Sequence, residues 1–167
     1  RLGRTEQAET LVERMYQVYR PLEVGPLPKG ADAAELAWFF YQFRQFAATA
    51  SRWAQVAIDS DPDDPYSRRV WGMIFLQSER SQQARQMLEP LAETDAYALA
   101  ALLGDAMASG DAGRARQLAT QAANLPRHGP AWRHLESEAA RYGVELPPPP
   151  AAAEQARPLV QKFIEQG

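Results

Sequence analysis

The chain has 167 residues, with 18 basic and 21 acidic side chains, two histidines and no cysteine. Near-balanced and dispersed charge argues against electrostatic binding to nucleic acid, and the missing thiols remove disulfides, thiolate nucleophiles and zinc–thiolate sites. No apolar run approaches the ~18 residues that a spanning helix needs, so direct membrane insertion is not expected, while a cytoplasmic and a periplasmic setting stay equally open.

Taken in order, residues 2–19 read as one amphipathic helix carrying Ala8, Leu11, Val12, Met15 and Tyr19. It resembles the second half of a helix pair whose first half would lie upstream of Arg1. Residues 20–31 bring Pro21, Pro26 and Pro28 together with two glycines, and are expected to be a non-helical insertion. A helix over residues 33–46 follows, carrying Trp38, Phe39, Phe40, Tyr41, Phe43 and Phe46 on every side, so it must be covered on more than one face. Most of these rings are expected in a core against the helix at 2–19, leaving Phe39 or Phe43 for a partner. Its pair, residues 51–60, ends in Asp-Pro-Asp-Asp-Pro, where the prolines stop one helix and the aspartates favour a turn and the N-cap of the next.

Residues 67–95 form the clearest pair. Val70, Trp71, Ile74 and Phe75 fall at helical spacing, and Ala84, Leu88, Leu91 and Ala92 do the same after a polar break. Gly72 sits inside the first helix, where glycine costs about 1 kcal/mol relative to alanine. Its presence points to a second backbone too close for a side chain, with small Ala84 as the expected contact. Residues 97–109 and 112–124 repeat the arrangement, with Gly104 and Ala115 in the places of Gly72 and Ala84. Residues 131–142, with Trp132 and Leu135, make a further first-type helix capped by Gly143. Residues 147–150 are a polyproline spacer, and residues 151–167 are expected to form a capping or linking helix whose apolar stripe is Leu159, Val160, Phe163 and Ile164.

Aligning Trp38, Gly72, Gly104 and Glu136 gives steps of 34, 32 and 32 residues. With that period, the run Trp71-Gly72 with Phe75, Ala84 and Leu88 resembles the tetratricopeptide repeat family, whose helix-turn-helix unit is about 34 residues. Pro130-Ala131-Trp132 followed by Leu135 is similar to the opening of a unit, and Ala57-Ile58-Asp59-Ser60-Asp61-Pro62 to the closing of one. Trp38 and Glu136 depart from the family by standing where it has glycine. The resemblance implies an all-α, right-handed superhelix of antiparallel helix pairs over residues 1–146, and a non-catalytic protein–protein interaction module. It would bind a peptide or partner protein, or a second copy of the chain, on the concave face of the first helices. On that face it places Glu35, Phe39, Gln42 and Phe43, then Arg69, Met73 and Leu76, then Ala101, Asp105 and Ala108, then Arg133 and Ser137. An apolar wall beside Arg69 and Arg133 would suit a segment with an acidic anchor. The alternative is an architectural spacer whose groove is filled by the chain itself. Usage rich in Ala, Arg and Pro points to a bacterial source.

No cofactor is expected. Asp61, Asp63 and Asp64 lack the glycine and glutamate of a calcium loop, His128 and His134 have no evident carboxylate partner in sequence, and no serine lies in a nucleophile elbow.

Overall fold

The computed structural model describes residues 30–148, together with Thr10, Glu13, Arg14, Tyr16 and Gln17. The helix expected at residues 2–19, most of the insertion at 20–31, half of the proline spacer and all of the segment 151–167 therefore lie outside, or largely outside, the described residues. Among those described, the chain is all-α, with seven α-helices and no strand. None is long and apolar enough to cross a membrane. The chain divides into two compact units between Ser67 and Arg68.

The first unit holds α1 (Ala31–Tyr41) and α2 (Ala47–Ser60), joined by a 3-10 turn over Arg44–Phe46. Both helices bury alanines, Ala33, Ala34 and Ala37 on α1 and Ala50, Ala54 and Ala57 on α2, so the two can pack closely along their length. Trp53 of α2 is 1% exposed and is the largest fully buried side chain. The aromatic segment is less uniformly core than its composition implies. Phe40 is buried, whereas Trp38, Phe39, Tyr41, Phe43 and Phe46 are half-buried. The rings of Phe39, Phe40, Phe43 and Phe46 form one connected cluster with Tyr16, which stacks on Phe46 at 5.0 Å and meets Phe40 edge-on at 6.0 Å, while Trp38 stacks on Tyr41 at 5.5 Å.

Helix α3 (Pro65–Gln77) begins at the unit boundary. Its start follows from the Asp-rich turn: the Asp63 N–H bonds to Asp61, and Asp64 Oδ2 accepts from the Ser67 N–H at 2.8 Å and hydroxyl at 2.6 Å. Proline at the first helical position loses no bond, since that N–H has no intrahelical partner.

The second unit continues with α4 (Ser81–Leu88), α5 (Ala96–Ala108), α6 (Ala112–Gln121) and α7 (Gly129–Arg141). It is repeat-like in the way its helices end. After α3, α5 and α7 the chain turns through one left-handed residue, Glu79 (φ 58°), Gly110 (φ 77°) and Gly143 (φ 65°). The next N–H bonds back to a carbonyl five residues earlier: Arg80 to Phe75 at 2.9 Å, Asp111 to Ala106 at 2.8 Å, and Val144 to Ala139 at 2.9 Å. This is the same helix-stopping bond three times. The second helices α4 and α6 both tighten into 3-10 turns, Glu89–Leu91 and Ala122–Asn124. Asp95 then caps α5 through the N–H groups of Tyr97 and Ala98, and Asp111 caps α6 through that of Arg114.

Packing in this unit corrects two expected contacts. A Cβ at Gly72 would lie 2.6 Å from Leu88 Cγ and 3.2 Å from Met87 Cβ, so what leaves no room for a side chain is the Leu88 side chain, not a second backbone beside Ala84. The missing side chain makes a hole that a leucine fills. Gly104 faces a different helix altogether. Its Cβ would meet the Glu138 carboxylate of α7 at 3.2 Å, not Ala115 of α6. Trp71 is half-buried and tilted against Phe75 at 4.5 Å. A large cavity is therefore expected from truncating buried Trp53 or Trp132, and not from truncating Trp71.

Candidate functional site

The first helices of the second unit are joined by a row of side chains. Arg69 of α3 donates from Nη1 to Asp95 Oδ2 at 2.8 Å, and its guanidinium lies 5.1 Å from the centre of the Tyr97 ring at the start of α5. The other side of the row is His134 of α7, whose ring lies 5.3 Å from that of Tyr97. One carboxylate thus both caps α5 and fixes the arginine, and the arginine and the imidazole both contact one phenol ring. Tyr97 is half-buried and His134 exposed, so the row borders solvent. Ala101 and Ala108, half-buried and exposed on α5, are small, and Arg133 and Ser137 are exposed on α7.

The residues expected on this face divide when placed. Arg133 is exposed and Leu76 half-buried. Met73 is 5% exposed and belongs to the core, because its turn of α3 is buried around it, with Val70, Ile74 and Phe75. Arg69 is not a spare cation: its side chain is 15% exposed and its charge is met by Asp95. Asp105 turns toward α4, where it accepts from the Ser81 hydroxyl at 2.7 Å and from Arg85 Nε at 2.9 Å and Nη2 at 2.8 Å. It is an internal clasp between the pairs and not a groove residue. In the first unit Glu35 and Gln42 are exposed, the latter bonding to the Trp38 carbonyl at 3.3 Å. Phe39 and Phe43 are half-buried and meet edge-to-face at 5.4 Å.

No family model, curated protein or solved structure matches this chain. The site therefore rests on its own geometry. Among the described residues no group of three or more His, Asp or Glu side chains is placed to hold a metal ion.

Sequence reasoning passed over Tyr97 and His134, which the fold brings together. Tyr97 carries a weak signal, being an aromatic residue two positions after a capping aspartate. His134 carries none beyond its place on a first-type helix.

The Asp105 clasp gives an asymmetric expectation. Asp105→Ala removes the acceptor of Arg85 and Ser81 and should cost roughly 1.5–3 kcal/mol, in the range of hydrogen bonds to charged groups. Arg85 is 32% exposed and keeps its water, so the loss stays below the ~3–5 kcal/mol of a fully buried pair. Arg85→Ala should cost at least as much, because it strands the Asp105 carboxylate, 7% exposed, with the Ser81 hydroxyl as its remaining side-chain donor. Urea denaturation followed by circular dichroism measures both, and a loss from Arg85→Ala of less than half that from Asp105→Ala would contradict this account.

Proposed function

We propose that this chain is a non-catalytic protein-interaction module, built as a tetratricopeptide-like right-handed superhelix, that binds a peptide or partner protein across its first helices. The observation carrying this reading is the Arg69–Tyr97–His134 row, which links side chains of α3, α5 and α7. The triple recurrence of one helix-ending turn supports the repeat architecture behind it.

The chemistry of the row suits a polypeptide. A half-buried tyrosine in contact with a guanidinium and an imidazole costs little side-chain entropy to present, and Tyr and Arg are the residue types that dominate protein interfaces. The small side chains at Ala101 and Ala108 leave space for an incoming backbone. Arg133 supplies the exposed cation that an acidic partner side chain would meet, a role Arg69 cannot fill once paired with Asp95.

The test is a selection from a random peptide display library, followed by titration of the enriched peptide against the chain and a Tyr97→Ala, Arg133→Glu variant. Affinity should fall at least ~10-fold, equivalent to about 1.4 kcal/mol, with helicity unchanged. An unchanged affinity, or no enrichment over random sequence, would overturn the reading.

A further inference from the structure

Gly143 ends α7, and the sequence after it does not resume a helix. Pro147 and Pro148 lack a backbone N–H, and each pushes the residue before it toward extended backbone. Residues 144–148 accordingly run without helix. All of them line a cleft of about 630 Å³, which they share with Ala112, Arg116 and Thr120 of α6.

The run is held at its two ends. At the near end Gly143 turns the chain at φ 65°, and the Val144 N–H bonds to the Ala139 carbonyl at 2.9 Å. At the far end Arg127 Nη2 donates to the carbonyls of Pro147 at 2.8 Å and Pro148 at 2.9 Å. Arg127 stands on the connection between α6 and α7, and its guanidinium lies over the ring of buried Trp132, 4.9 Å from the ring centre. That contact restrains the planar group, so aiming two hydrogens at successive carbonyls costs little further freedom. Among the described residues no other side chain hydrogen-bonds to the run. Burial adds little to the hold, since Val144, Leu146 and Pro147 are half-buried while Glu145 and Pro148 are exposed.

We infer that residues 144–148 are a strap, hinged at Gly143 and latched by Arg127, that opens and closes one wall of the cleft beside α6 without unfolding of the helices. A segment with few buried apolar contacts and a hold concentrated at one end opens at a lower free energy than the elements it lies on. Releasing the latch carries the strap away from α6, so the cleft exists in the latched state alone. The device stands apart from the peptide-binding reading and does not rest on it.

The chain has no cysteine, so Glu145→Cys, at an exposed position, carries a single nitroxide spin label in the full chain. Electron paramagnetic resonance should resolve an immobile and a mobile component. The ratio of mobile to immobile label should rise at least ~5-fold on Arg127→Ala, with helicity unchanged, because hydrogen bonds from a charged donor are lost. Arg127→Lys keeps the charge but not the planar fork, and should fall between. An unchanged ratio in Arg127→Ala would overturn the inference, as would a label that is as mobile in the parent chain as in urea-unfolded protein. Arg85→Ala weakens the second unit elsewhere and should leave the ratio unmoved. An equal rise there would show general loosening in place of a latch, and would also overturn it. Should Arg127→Ala fail to fold, a urea titration of the labelled parent decides: the mobile component should grow ahead of the loss of helicity, and growth only in step with that loss would overturn the strap.

Discussion

Gly72→Leu is expected to abolish the normal cooperative unfolding of the second unit, the largest loss from any single substitution in α3. Even the first added atom lands 2.6 Å from Leu88 Cγ and 2.8 Å from Leu88 Cδ2. Leu88 is itself 0% exposed, so it has no space into which to swing. Overpacking of this kind costs about 1–3 kcal/mol for extra methylenes that a core can partly absorb. Three further carbons at a site that cannot absorb one should exceed that, against a total stability on the order of 5–15 kcal/mol. Gly72→Ala should be milder, because the clash is offset by the ~1 kcal/mol that alanine gains in helix propensity. Gly104→Ala is the matched control, since its Cβ meets only the end of the flexible Glu138 side chain, and it should be neutral or slightly stabilising. The decisive version is a double-mutant cycle. Leu88→Ala alone should cost about 2–5 kcal/mol, and adding Gly72→Ala should restore part of it by filling the space. Additivity within ~0.5 kcal/mol would refute the close approach.

Trp53→Ala should cost about 3–5 kcal/mol, the range for removing a buried large aromatic ring. The indole Nε1 is buried with no hydrogen-bond partner among the described residues. Trp53→Phe removes that orphan donor along with only part of the volume, so it should cost well under half as much as the alanine change. Thermal and urea denaturation of the two variants compare them directly. A phenylalanine variant as unstable as the alanine one would mean that the indole N–H makes a bond the fold requires.

Much of the helical framework was legible because its punctuation is chemical. The Asp-rich turn before α3 and the glycine at 143 each supply a group that a helix end needs. The turn after α3 was harder to see, since Glu79 occupies the left-handed position that glycine takes in the other two. Gly72 announced a close approach because glycine is costly inside a helix. It did not announce Leu88, because a hole can be matched by a large side chain as well as by a small one. The same limit explains Asp105. On sequence a lone aspartate in an apolar helix reads as surface, and only the fold brings Ser81 and Arg85, 24 and 20 residues upstream, onto its carboxylate. Arg69 likewise read as a free anchor until the cap of the next helix supplied its counter-ion.

The row joining α3, α5 and α7 carries the functional reading, and backbone and side-chain shift mapping during titration with a library-selected peptide tests it most directly. Shift changes should concentrate at Tyr97, Ala101, Arg133, His134 and Ser137. Changes confined to α4 and α6, with the Tyr97 and His134 signals unmoved at saturating peptide, would contradict it.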